Sequence, residues 1–248
     1  MVTLAVDTSH AVGSAALAVD GAVVGVGRFE EPSSHLVALG RTVESLLSAG
    51  GRSARDVDRI AVVIGPGSFT GLRIGLAFAK GLHAALAVEM VVIDSLRLLA
   101  LPHLADAPTV CAMIDARRGE VYAAAYAPAS AAGNDTEAGA VRDVLAPRAQ
   151  APDVLLDALT TVPALFVGTG ALAHAELIRA RFPGARLAGD ADAYPSTAHL
   201  AAIAHRMHPL DPASIRTLEP LYLRPSGAER MRLRPLGRAG DDPPVSDS

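Results

Sequence analysis

The chain has 248 residues, half of them hydrophobic, with a formal net charge of -4 and a single cysteine. One cysteine excludes an internal disulfide framework and points to a reducing, cytoplasmic setting. The acidic balance, the absence of tryptophan and the 4% of aromatic residues argue against an autonomous nucleic-acid platform built on charge or base stacking.

In chain order, "VTLAVDTS" reads as an apolar strand ending in polar residues. "SAALAVDGAVVGVGRF" reads as two strands joined at Asp20-Gly21, a strong hairpin pair. Pro32 breaks the chain, and Ser33 or Ser34 can cap a helix starting near His35. Leu36, Leu39, Val43, Leu46 and Leu47 recur there at helical spacing, and Gly50-Gly51 closes it. Ile60 to Ile64 is a fully apolar strand, "GPGSFTGLRIG" follows, and a helix is expected from about Leu72 to Leu86. "MVVI" is the next strand and Leu96 to Leu104 a short helix.

A second round of the same grammar begins at "TVCAMIDARRGEVYAAAY", with Asp115 at the strand end. "ALFVGTGALAHAELIRARF" reads as strand, Gly-x-Gly turn and helix, and Thr197 to Met207 as another helix. The expected division is an N-terminal lobe over 1–104, a C-terminal lobe over 105–228, and a mobile tail over 229–248. Pro128 to Gly139 reads as a polar loop. No run reaches the roughly 20 apolar residues of a membrane helix, and no secretory leader is expected at the start.

The glycine segment meets neither standard phosphate motif. A P-loop lysine is missing, since Lys80 lies far downstream, and the dinucleotide register misses by one residue. Ser68, Phe69 and Thr70 still lead into a helix whose free N–H groups can receive an anion. The alternative is packing: Gly71, Gly75, Ala79 and His83 fall near one helix face, and Leu72, Leu76, Ala79 and Leu86 on the adjoining one. Such small residues permit close approach to the chain's own sheet or to a partner. Asp7 and Asp115 each end an apolar strand, as metal- or water-orienting carboxylates do, or else serve as turn caps. Thr8 and Ser9 could add hydroxyls toward a phosphate. Arg117 and Arg118 read either as phosphate partners or as internal partners of Glu120.

Metal chemistry has little support: there is no His-x-x-x-His, and Pro209 interrupts the His205, His208 and Asp211 face. Ser68 lacks the Gly-x-Ser-x-Gly context and an assignable base, and Cys111 reads as inert core. Arg224, Arg230, Arg232, Arg234 and Arg238 concentrate charge toward the end of the chain, as solvated tail or as an RNA or partner contact.

Four segments carry a resemblance to a known family: "LAVDTS" at 4–9, "GPGSFTGLRIG" at 65–75, "IDARRGEVY" at 114–122 and "EPLYLR" at 219–224. With them the chain resembles the bacterial TsaB (YeaZ) family of the tRNA threonylcarbamoyladenosine system. The resemblance implies a two-lobed α/β fold of the actin-like, sugar-kinase superfamily, with mixed sheets and flanking helices. It also implies a non-catalytic dimerisation subunit that pairs with a TsaD-like transferase, is engaged by a TsaE-like ATPase, and reaches tRNA indirectly through the complex. Mapped here, the candidate interface is His35, Leu36, Leu39, Val43 and Leu46 on one helix and Leu72, Gly75, Leu76, Ala79 and His83 on another. A homodimer through the same helices is expected when the partner is absent. Where a TsaD-like protein has metal-binding histidines this chain has Ser95 and Leu99, so no catalytic residue and no metal are expected. No cofactor is expected for the isolated chain, with ATP and magnesium belonging to the assembled complex. Two alternatives stay open: a magnesium-ATP-binding ATPase using Asp7, Thr8, Ser9 and Asp115, and a disfavoured metallopeptidase-like protein.

Overall fold

The structure, a computed structural model, describes residues 1–30, 35–129 and 141–224. The candidate caps Ser33 and Ser34, most of the 128–139 loop and the tail arginines after Arg224 lie outside the described residues.

Strands β1 (Val2–Asp7), β2 (Gly13–Val19) and β3 (Ala22–Phe29) form an antiparallel meander. Its second turn is the Asp20-Gly21 pair, both residues at positive φ (49° and 82°), as a two-residue hairpin turn requires. Helix α1 (His35–Ala49) returns over the sheet, and β4 (Arg59–Val63) adds parallel to β1. Helix α2 (Phe69–Leu86) then leads to β5 (Glu89–Ile93), parallel to β4, so the first sheet has the order β3-β2-β1-β4-β5.

Helix α3 (Ser95–Ala100) is the bridge to a second round of the same topology. Strands β6 (Val110–Asp115), β7 (Val121–Pro128) and β8 (Val141–Gln150) form the meander, α4 (Pro152–Asp157) follows, and β9 (Leu165–Val167) joins β6 in parallel. Helices α5 (Thr169–Ala173) and α6 (Ala175–Arg181) precede β10 (Arg186–Leu187), completing the order β10-β9-β6-β7-β8. The weak internal likeness of the two sequence halves is thus a repeat of strand order and direction.

The central strands of each sheet are buried on both faces, while the edge strands β3 and β8 are largely open. Leu39, Val43 and Leu47 of α1 and Leu76 and Ala79 of α2 pack on one face of the first sheet with Leu4, Val6, Ile60 and Val62. Its other face is almost all alanine and valine (Ala5, Ala16, Ala18, Ala61, Val63) and receives Leu98 of α3. Leu96 and Leu99 of the same short helix enter the core of the second sheet, so α3 is shared between the layers. Each such fully buried leucine contributes about 1.5–3 kcal/mol from removed apolar surface.

The structure departs from the sequence expectations at several element ends, in one helix that is split in two, and at one boundary. Helix α2 starts at Phe69, three residues early, because the Ser68 hydroxyl caps it by accepting from the Gly71 N–H at 3.2 Å. Helix α3 stops at Ala100, and a 3-10 turn containing Pro102 follows. The expected helix after β9 is two helices meeting at His174 (φ -116°, ψ 27°). Helix α7 (Thr197–Ala204) ends three residues early. The division at 104/105 also assigns the last elements to the second lobe, whereas they return to the first. Leu200, Ala201 and Ala204 of α7 cover the alanine face of the first sheet. Ile215 of α8 (Pro212–Thr217) is buried in the first core. Buried Arg59 fastens this return, donating to the carbonyls of Ala204 and Met207 and pairing with Glu89.

Candidate functional site

The glycine segment connects β4 to α2 and brings three glycines against the residues that follow β1. The Ser68 N–H donates to the Ser9 carbonyl at 2.7 Å, and the Thr8 hydroxyl donates to the Gly71 carbonyl at 2.7 Å. A methyl group at position 67 would collide with the Ser9 carbonyl, at 71 with the Thr8 carbonyl, and at 75 with the Thr8 hydroxyl. Glycine is therefore required for a close approach within the chain itself. This corrects the expected placement of Gly75 in a partner contact: the small-residue face of α2 points inward.

The same approach builds one wall of a cleft of about 480 Å3 between the sheets. Ser9, His10, Ser68, Phe69 and Thr70 line it from the first lobe, and Asp115, Arg117, Tyr122 and Thr169 from the second. Of the sequence-derived nucleotide candidates, Ser9 and Asp115 face each other across this space. Asp7 and Thr8 are buried and spent on scaffold: an Asp7 oxygen accepts from the Ser9 N–H at 2.8 Å, and Thr8 holds Gly71. Asp115 receives the Arg117 N–H at 2.7 Å, and its own N–H donates to Thr169 Oγ1 at 3.1 Å.

Sequence reasoning missed His10, Thr169 and Tyr194. Buried His10 contacts Ser9 Oγ through Nδ1 at 2.7 Å and meets the Tyr194 ring edge-on at 5.5 Å. Its Nε2 has no hydrogen-bond partner among the described residues. Burial holds its pKa below the ordinary value, outweighing the opposing pull of Asp7, so the ring is neutral at neutral pH. The wall thus combines an uncharged imidazole, a hydroxyl and the N-terminus of an 18-residue helix, facing a carboxylate and an arginine. Such a set can orient a polar, partly anionic molecule by hydrogen bonds.

Arg117 and Arg118 occupy the tight β6–β7 turn at φ 60° and 58°, both exposed. Glu120, expected beside them, makes its ion pair with Arg224 instead. Across the cleft mouth Tyr222 lies against Phe69 (5.2 Å between ring centres), and its hydroxyl accepts from Arg73 Nε at 3.0 Å.

The candidate interface residues separate into two groups. Leu39, Val43, Leu72, Gly75, Leu76 and Ala79 are buried within their own lobe. His35 rests edge-on against Phe29, Leu46 is partly buried against the first core, and His83 Nδ1 sits 2.8 Å from the Val88 carbonyl. Leu36 is 56% exposed and its neighbour Val37 51%. Between α1 and α2 lies an apolar groove of about 510 Å3, lined by Val43, Leu47, Phe78 and Leu82 with Glu44 and Arg52. Phe78 and Leu82, which complete it, were not singled out in the sequence because their spacing matches any buried helix stripe.

Among the described residues no group of three or more His, Cys, Asp or Glu side chains is placed to hold a metal ion. Ser95 and Leu99 are both buried in the core. Burial pushes the Cys111 thiol up to about 12, which leaves it unreactive. Asp211 caps α8, accepting from the N–H groups of Ala213 and Ser214, so it belongs to a helix end. No helix among the described residues is long and apolar enough to cross a membrane.

Two repeated mixed sheets with flanking helices and a cleft between them define a protein with the actin-like ATPase fold. The family model described as TsaD, tRNA N6-adenosine threonylcarbamoyltransferase, matches residues 31–230. The tRNA threonylcarbamoyladenosine biosynthesis protein TsaB of Haemophilus influenzae is 29% identical over 89% of this chain and 92% of its own length. The Escherichia coli TsaB is 39% identical, over 50% of this chain and 54% of its own length, so that match spans about half of that relative. The solved structure of YeaZ from Pseudomonas aeruginosa superimposes with a TM-score of 0.70 at 28% identity, covering 90% of this chain and 99% of that one. The chain belongs to the TsaD-type family, and within it to the TsaB (YeaZ) members.

Proposed function

We propose that this chain is a non-catalytic partner subunit that binds and activates a TsaD-like transferase in threonylcarbamoylation of the adenosine adjacent to the tRNA anticodon. The observation that carries the reading is the apolar groove between α1 and α2, with Leu36 and Val37 exposed on α1. An apolar groove that opens between two long helices suits the helix of another protein. The relatives named for this biosynthesis support it, as do Ser95 and Leu99, a buried hydroxyl and a core leucine where metal-binding histidines would stand in a TsaD-like protein. A TsaE-like ATPase then engages the pair, tRNA is reached through the complex, and a homodimer covers the groove when the partner is absent.

The test is reconstitution of the TsaD-like subunit, the TsaE-like ATPase, a source of threonylcarbamoyl-adenylate and tRNA, with and without this chain. Modified adenosine is quantified by mass spectrometry. The expected result is strong dependence on the chain; equal modification without it overturns the reading.

A second reading is supported by the cleft. Its volume and its facing Ser9, His10, Asp115 and Arg117 suit a magnesium-bound nucleoside triphosphate, which would make the isolated chain an ATP-binding protein. Titration calorimetry with magnesium-ATP decides it: a flat isotherm removes this reading and leaves the first untouched.

A further inference from the structure

The segment from Ile215 to Arg224 touches residues of both cleft walls and changes lobes within two residues. Up to Tyr222 its anchors lie in the first lobe. Ile215 is buried in the first core, and Lys80 of α2 donates to the carbonyls of Arg216 and Leu218 at 3.2 and 2.7 Å. The Leu221 N–H donates to the Ile64 carbonyl at 2.7 Å. Tyr222 lies tilted against Phe69 and its hydroxyl accepts from Arg73, whose guanidinium lies 3.7 Å from the centre of the Phe69 ring. From Leu223 onward the anchors lie in the second lobe. Leu223 packs against the core that contains Leu96, Val110 and Tyr126, and Arg224 donates to the Ala116 carbonyl at 3.3 Å and pairs with Glu120.

The anchors on both sides are parts of the cleft wall itself. Phe69 opens α2 and lines the cleft, and Ala116 lines it opposite. Leu221 and Arg224 are three peptide units apart, which limits their Cα separation to about 11 Å. A strap this short has little slack, so a change in cleft width must strain or release one anchor. We propose that residues 221–224 are a tether that couples the width of the cleft to the first turns of α2, and so to the helix pair that forms the apolar groove. Whatever occupies the cleft then shifts affinity at the groove, and a protein bound in the groove shifts the cleft by the same factor. The consequence for partner binding rests on the subunit reading above; the tether itself does not.

The experiment is hydrogen–deuterium exchange of the full chain, read by mass spectrometry, for wild type, Arg224→Ala, Tyr222→Ala and Arg224→Lys. Arg224 touches the second lobe, yet its loss is expected to speed exchange at Gly71 to Leu76 by about threefold or more, with β1 and β6 unchanged. Tyr222→Ala is expected to speed exchange at Ala116 to Glu120, and Arg224→Lys to fall between wild type and Arg224→Ala. Changes confined to the lobe that each side chain touches overturn the tether. If Arg224→Ala loses protection throughout, the same pattern is required of Arg224→Lys at smaller size, and its absence is equally decisive. Affinity for the TsaD-like subunit separates the two claims. Faster α2 exchange with unchanged affinity sustains the tether and counts against the groove as partner site.

Discussion

Thr8 sits where β1 ends, with its hydroxyl committed to the Gly71 carbonyl and its side chain pressed on Gly75. That contact decides what the glycine segment is for. A methyl group on Gly75 has nowhere to go except into the Thr8 hydroxyl, so Gly75→Ala is expected to destabilise the fold by about 1–3 kcal/mol. Urea denaturation measures it, and affinity for the partner subunit should stay within about twofold under conditions where the variant is folded. The reverse pattern, intact stability with lost association, would return Gly75 to the interface. Periodicity showed the small residues at 71, 75 and 79 but not the direction they face, since close packing on one's own backbone and on another chain leave the same pattern. His10 was invisible for a different reason. A lone histidine between a serine and an alanine carries no spacing signal, and only burial against Tyr194 gives its free nitrogen meaning.

At the scale of the element, α1 is one helix with two kinds of leucine. Leu39 is fully buried on the sheet and Leu36, one turn earlier, is 56% exposed. Leu39→Ala is expected to cost about 2–5 kcal/mol of stability through the cavity it leaves. Leu36→Glu is expected to leave stability within about 0.5 kcal/mol and to weaken partner binding by about tenfold or more. Thermal melts and surface-binding titrations on the two variants separate these outcomes, and a Leu36→Glu protein that binds normally moves the contact surface away from the start of α1. Elements were the most legible level in the sequence. Asp20-Gly21 forced the hairpin, the apolar run 60–64 marked the buried strand β4 to within a residue at each end, and leucines at helical spacing marked α1. Ends were less legible, because the Ser68 cap depends on a backbone angle (ψ 120°) that composition does not encode.

Over the whole molecule, the second lobe is inserted between parts of the first. The alanines of the first sheet leave a shallow face that Leu200, Ala201 and Ala204 cover from more than a hundred residues beyond β5, the last strand of that sheet. Residues 1–104 alone would expose that face and lose Ile215 from the other, so this fragment is expected to be unfolded or aggregated by circular dichroism and size exclusion. Supplying residues 194–224 on a short linker should recover part of the helical signal; a well-folded 1–104 fragment would refute this dependence. The return was illegible in the sequence because an apolar stripe such as 200–204 declares burial without naming the sheet it covers. The repeated strand order was half-legible, through the twin strand-ending aspartates at 7 and 115.

The chain contains no tryptophan, and beside the cleft a phenylalanine and a tyrosine meet at a tilt, with an arginine over the phenylalanine. Phe69→Trp would therefore place the molecule's sole indole at the point where its halves meet. Emission excited at the red edge would come from that position alone, its intensity set by the overlying guanidinium and its wavelength by access of water. Any change in the spacing of the two halves would then become an optical signal, readable in a stopped-flow cell without any attached dye.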